Sequence, residues 1–363
     1  MSPVSTVSTP NGSTRTRQGT VAPEVREAVD GVRLHVVTGK GGTGKTTVAA
    51  ALAIALASGG RRTLLVEVEG RGGIARLFDT PPTGYEEVPV AVAPDGGDVY
   101  GLAIDPEQAL LEYLDLFYHL GRAGSALRRL GAIDFATTIA PGLRDVLLTG
   151  KAYEAARRRD SSGGFAFDAV VMDAPPTGRI ARFLNVNSEV VGLARVGPIH
   201  GQAESIMNML RSPRTAVHLA CVLEEMPVQE TLDGVAELTR VGLPVGAIIV
   251  NLKQVSRLRA ADLAAARDGR LDPEQVRAGL LTAGLDPTPA VVSRLVSEAQ
   301  EQAVGAAAQR RQRRRLSAAG RPVLELPTLP DGVDLGGLYA LARALISQGV
   351  RISDPDPATS GAR

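Results

Sequence analysis

Residues 39–47 read GKGGTGKTT, and this stretch decides the fold. Gly39 to Thr46 fit the spacing G-x-x-x-x-G-K-[ST], a loop whose backbone N–H groups cradle phosphate oxygens. The same spacing arises by chance in glycine-rich turns, so its flanks carry the weight. Before it stands the apolar run VRLHVVTG (32–39); after it comes TTVAAALAIALA, an apolar helical sequence. A strand, a glycine loop and a helix in that order form the context in which such a loop binds a nucleoside triphosphate. Gly39, Lys40, Gly41, Gly42, Thr43, Gly44, Lys45, Thr46 and Thr47 are then its expected contacts. Lys45 is placed to bridge the β- and γ-phosphates, and the Thr46 hydroxyl to ligate Mg²⁺. One lysine suffices for that task, yet the loop holds two. The only other lysines of the chain are Lys151 and Lys253.

Further β-rich runs follow at TLLVEVE (63–69), VYGLAI (99–104), FDAVVMD (167–173), TAVHLACV (215–222), VGAIIVN (245–251) and PVLELP (322–327). Most are continuously apolar, as strands covered on both faces are, and helical stretches separate them. The pattern predicts an α/β fold, a P-loop NTPase core with a mostly parallel, doubly wound sheet. The gaps at about 105–165 and 179–214 exceed a simple crossover and read as a helical insertion on one end of the sheet. Within the first, Tyr113, Phe117 and Tyr118 mark a helix burying one face, or a groove for an apolar client helix. Residues 257–318 are also helical and end in QRRQRRR (309–315), read as a solvated face or else a lipid or nucleic-acid patch. His35, His119, His200 and His218 are scattered without metal-ligand spacing, and packing explains them.

FDAVVMDAPPTGR (167–179) supplies a second phosphate-site element. Its apolar residues lead to Asp173 at the C-terminal end of a strand, where open α/β sheets bind ligands. An aspartate there can hold Mg²⁺. Pro175 and Pro176 delay the next helix, leaving a loop able to respond to the γ-phosphate.

The bulk composition is permissive. A chain of 363 residues has ample core material, and 40 basic against 39 acidic side chains give a net charge of +1. That balance offers no global field for nucleic acid or acidic lipid. A single cysteine, Cys221, excludes an intramolecular disulfide and a paired-cysteine metal site within one chain. The expected compartment is the cytoplasm, with any membrane role peripheral, because the longest apolar run is too short to span a bilayer. Residues 1–30 and 351–363 read as disordered tails around a single domain at 31–350.

These residues carry a family resemblance. GKGGTGKTT, with its early lysine, resembles the deviant Walker A loop of the ArsA, ParA and MinD class of P-loop ATPases. DAPPTGR resembles the second switch of the ArsA branch, to which the arsenite-pump and tail-anchored-protein-insertion ATPases belong. IDPEQALLEYL (104–114), PVQET (227–231) and VGAIIVN (245–251) resemble further blocks of that branch. The likeness runs from about Val32 to Leu345 and is nearest to single-half actinobacterial anion-transporting ATPases, which tend to occur as two paralogous subunits.

The resemblance implies that Lys40 crosses a dimer interface to the partner's nucleotide. It places Glu69 where the family has a water-positioning aspartate, in a D-P-A-H motif whose proline and histidine are replaced here by Gly70 and Gly72. A glutamate keeps the carboxylate but reaches one methylene further; a solvated strand-end carboxylate is the alternative. Asn251 matches the adenine-contacting asparagine, and Pro327 falls where backbone passes beside the adenine. The resulting reading is an ATP- and Mg²⁺-dependent ATPase. Lys40, Lys45 and Glu69 would be catalytic, and Thr46 and Asp173 would hold the metal. It would work as a homodimer or as a heterodimer with a paralogous subunit, handling an apolar helical client or membrane protein. No nucleic acid partner is expected, nor a zinc or metalloid site. A nucleotide-binding regulatory subunit is the alternative, and a ParA- or MinD-like positioning ATPase a second.

Overall fold

A computed structural model describes residues 23–118, 141–193 and 198–352. Most of each expected tail lies outside these residues, as do His119 and the side chains of Tyr113, Phe117 and Tyr118. Eight strands form one sheet in the order β3-β4-β2-β5-β1-β6-β7-β8. In chain order they are β1 (Leu34–Gly39), β2 (Arg62–Glu67), β3 (Val88–Val92), β4 (Asp98–Ala103), β5 (Ala169–Asp173), β6 (Thr215–Cys221), β7 (Val245–Lys253) and β8 (Val323–Pro327). All neighbours are parallel except β3 and β4, which form an antiparallel edge pair. The fold is therefore α/β with a mostly parallel sheet, as the runs of apolar sequence predict.

Seven strands coincide with the expected runs to within three residues at either end. The eighth, β3, has no counterpart among them. VPVAV is short, carries Pro89 and buries only Val90, so it lacks the continuous apolar signature of an inner strand. A bulge between Pro89 and Ala91 accommodates the proline on the sheet's edge.

Helices cover both faces. On one lie α1 (Pro23–Glu27), α2 (Lys45–Ala57), α3 (Gly73–Phe78) and α12 (Leu335–Ser347), packed on Val37, Leu65, Val171 and Ile249. Residues Val48 to Ala57 of α2 are all buried, so this helix is apolar around its whole circumference. Each of its large side chains, Leu52, Ile54 and Leu56, contributes roughly 1.5–3 kcal/mol by leaving water. The other face carries α4 (Pro106–Tyr118), α5 (Pro141–Arg157), α6 (Thr177–Leu193), α7 (Pro198–Leu210) and α8 (Glu225–Arg240) over Leu34, Val36, Val66, Val170 and Met172. Helices α4 to α7 make up most of the described parts of the two long gaps and lie on a sheet face. Between β7 and β8 come α9 (Ala260–Arg267), α10 (Pro273–Thr282) and α11 (Pro289–Ser317), with a small core of their own at Leu263, Ala266 and Ala303.

Two of the scattered histidines meet. His35 of β1 and His218 of β6 are buried and stacked, their ring centroids 5.3 Å apart and their planes 10° from parallel. The Ala247 N–H donates to His218 Nδ1 at 3.1 Å, which leaves the proton of His218 on Nε2; that N–H donates to His35 Nδ1 at 3.0 Å. The register between β6 and β7 shifts at this point, and the imidazole accepts the backbone N–H there.

Candidate functional site

The site gathers where β1, β2, β5 and β7 end. Val37 of β1 lies beside Asp173 of β5, and Glu67 of β2 lies beside Asp173 from the other side. From Gly39 the chain turns through residues 40–44 into α2. The Thr43 hydroxyl closes this turn by donating to the Lys40 carbonyl at 2.8 Å. Gly44 precedes the helix with φ 77°, a left-handed conformation that a side chain resists, and a Cβ there would strike the Asn251 amide. Helix α2 then directs its unpaired first N–H groups and positive dipole end at this loop.

The Thr46 hydroxyl donates to Asp173 Oδ2 at 2.6 Å. Asp173 Oδ1 is buried and has no hydrogen-bond partner. Burial pushes the Asp173 carboxyl up to about 6; the Thr46 hydrogen bond and the Lys45 charge oppose this, while Glu67 and Glu69 add to it. A hydroxyl, an unpartnered buried carboxylate oxygen and nearby negative charge form a donor set that fits a small hard cation. The fit is thus made by the two residues expected to hold Mg²⁺. Among the described residues Lys45 makes no ion pair, and its ammonium acts on Asp173 through space.

The two glutamates of LLVEVE part company. Glu67 is 2% exposed, and its carboxylate accepts the backbone N–H groups of Arg71 at 2.6 Å, Gly73 at 3.2 Å and Ile74 at 3.3 Å. It thereby fixes the loop after β2, and at Gly73 this loop meets Thr46, where a Cβ would come 2.9 Å from the threonine methyl. Sequence reading passed over Glu67. Two carboxylates spaced by two residues look alike along a strand, and only the fold of the following loop tells them apart. Glu69 is half-buried, with Arg71 at 3.6 Å.

Asn251 is buried and donates from Nδ2 to the Thr43 carbonyl at 3.0 Å, bracing the phosphate loop from β7. Pro327 ends β8 opposite Lys253, where the Thr328 N–H donates to the Lys253 carbonyl at 2.9 Å. Between Asn251 and Lys253 the exposed Leu252 takes φ 53°, a left-handed value uncommon for leucine. The Lys40 ammonium forms an ion pair with Glu230 of α8, a partner that sequence reading did not foresee. Nothing in PVQET distinguishes Glu230 from any other helical carboxylate.

A profile described as anion-transporting ATPase matches residues 32–212, which include the phosphate loop, Glu67, Glu69 and Asp173. The ATPase BagA of Mycobacterium tuberculosis is 55% identical over 323 residues, covering 89% of this chain and 95% of that protein. The chain belongs to the anion-transporting, ArsA-type ATPase family. More distant members include an arsenical pump-driving ATPase of Acidiphilium multivorum, 28% identical over 59% of this chain and 38% of its own length. The ATPase GET3 of Kluyveromyces lactis is 26% identical over 64% of this chain and 76% of its own. Membership of this ATPase family brings with it ATP binding and ATP hydrolysis.

No group of three or more His, Cys, Asp or Glu side chains suited to a metal ion occurs among the described residues. No helix among them is long and apolar enough to cross a membrane. The arginine run is divided by its helix. Arg313 is bound to Glu325 at 2.7 Å and Arg315 to Gln229 at 2.6 Å, whereas Arg310, Arg311 and Arg314 are exposed.

Proposed function

We propose that the chain is a Mg²⁺-dependent ATPase that cycles between open and closed dimers and handles a client protein or membrane partner. Residues 31–350 would act as one unit, with the stretches at about 105–165 and 179–214 as its client-facing helical insertion. The observation that carries the reading is the hydrogen bond from Thr46, the residue after Lys45, to Asp173 beside the unpartnered Asp173 Oδ1. Thr46 and Asp173 would hold the cation, which when bound neutralises charge on the β- and γ-phosphate oxygens. Lys45 bridges those phosphates, the N–H groups of residues 41–46 cradle them, and Glu69 orients the water that attacks the γ-phosphorus in line with the departing ADP oxygen. Lys40 adds positive charge to the partner's site. Asn251 and Pro327 flank the adenine, so ATP is favoured over GTP.

Titration calorimetry with Mg²⁺–ATP and Mg²⁺–GTP, alongside phosphate release with and without the cation, tests the reading. Preferential ATP binding and cation-dependent release are expected; equal affinity for the two nucleotides overturns the adenine assignment. The Glu69–Arg71 approach favours a second reading, a regulatory subunit with little hydrolysis of its own, because a carboxylate leaning on arginine is less free to orient water. Turnover by the isolated chain separates the two.

A further inference from the structure

Helix α8 touches the phosphate site at two points on one face. Glu230 and Gly234 are four residues apart, so they lie one above the other along the helix. At the first point the Glu230 carboxylate is ion-paired with the Lys40 ammonium, both side chains only about one-third exposed, at 34% and 39%. At the second, Gly234 is packed so closely on Thr177 that a Cβ would overlap the threonine methyl. Thr177 is buried and opens α6, directly after the Pro175–Pro176 loop that leaves Asp173. That loop is tied in turn to β1, because the Thr38 hydroxyl donates to the Pro175 carbonyl at 2.7 Å. No space separates Thr177 from α8, so a shift of the loop moves the helix rather than being absorbed.

We propose that Glu230 is the positioning residue for Lys40. It holds the ammonium against its own chain, and movement of the loop after Asp173 is relayed through Thr177 and Gly234 to release it. The inference rests on the assignment of Lys40 to the hydrolytic site. Glu230 touches no phosphate in this scheme. Its effect on ATP hydrolysis runs through the second lysine, whose charge is delivered only after the ion pair opens. A partly exposed pair of this kind holds its partners by a factor of roughly two to five.

The test uses the full chain, whose four lysines make amine labelling residue-specific. Brief acylation followed by peptide mass spectrometry should show Lys40 labelled roughly two to five times faster in Glu230→Gln than in the native chain. Lys151, held by Glu112 at 2.9 Å, is the internal control and should be unchanged. Glu230→Asp, which keeps the charge, should restore part of the protection. In phosphate-release assays Glu230→Gln should lower the ATP concentration for half-maximal rate by a similar factor and leave kcat within twofold. In a Lys40→Ala background the same substitution should change neither quantity. Unchanged Lys40 labelling in Glu230→Gln overturns the inference, as does an equal kinetic effect with and without Lys40. Native turnover by Lys40→Ala alone removes instead the assignment of Lys40, and that outcome is read without reference to Glu230.

Discussion

Glu67 and Glu69 differ by two positions and by what their oxygens already hold. Each Glu67 oxygen accepts backbone N–H groups, so Glu67→Ala leaves the half-buried donor at Gly73 and the buried donor at Ile74 without an acceptor. A loss of about 1–3 kcal/mol is expected, read as a lower urea midpoint at unchanged slope. Turnover should fall with it, because the loop that packs on Thr46 loses its tether. Glu69→Gln is the opposite case. Its carboxylate fixes no backbone among the described residues, so stability should be unaffected and ATP affinity nearly so. If Glu69 orients the attacking water, kcat falls; unchanged kcat in a chain that turns over assigns the task to another group. Lys45→Ala should abolish hydrolysis and weaken ATP binding strongly in calorimetry, because no neighbouring cation replaces the β/γ bridge.

The paired histidines make β1 and β6 sensitive to acid. Burial holds the His218 imidazole down at about 4, and burial together with the His218 ring holds His35 well below its ordinary value; Arg33 lowers it further. Both are therefore neutral in the folded chain near neutral pH, whereas an unfolded histidine protonates below about 6.5. The unfolded chain then binds more protons, and stability falls as pH drops. Their contribution is complete above about pH 6.5. It is lost at roughly 1.4 kcal/mol per pH unit for each protonating histidine, for His218 down to about pH 4. Urea midpoints measured between pH 7.5 and 5 should fall accordingly, and His218→Gln, which keeps an acceptor for the Ala247 N–H, should flatten that slope. That the two histidines pack is what the sequence predicts, but their pairing was not legible, because the contact joins positions 183 residues apart on strands whose pairing no local pattern encodes. The inner strands were legible for the reverse reason: burial on both faces writes itself as a continuous apolar run. β3 was not, since an edge strand with a proline shows neither that run nor clean alternation. The position of the glycine loop, Thr46 and Asp173 at strand ends could be read because apolar runs lead into each of them. Glu67 and Glu230 could not, as each acts through a partner that only the fold supplies.

At the scale of the whole molecule the open question is where Lys40 does its work. Within one chain it is paired with Glu230, whereas Thr46 is bound to Asp173. If its ammonium acts on a partner's phosphates, hydrolysis must wait for the subunits to close, and each complete site is composite. Trans-acting cations of this kind contribute roughly a thousandfold or more to phosphoryl transfer. Lys40→Ala should then leave ATP binding by the single chain close to native, while turnover and ATP-dependent closure in light scattering both drop. Complementation separates the two geometries. In a mixture of Lys40→Ala and Lys45→Ala chains, a homotypic dimer contains one site with an intact Lys45 and the partner's intact Lys40. A fraction of native turnover should reappear on mixing, although Lys45→Ala alone is inactive and Lys40→Ala alone keeps only a small residual rate. With a paralogous partner the same arithmetic holds, each subunit supplying one of the two lysines. Native turnover by a strictly monomeric Lys40→Ala chain would mean that no subunit crossing is needed, and the dimer cycle would fall with it.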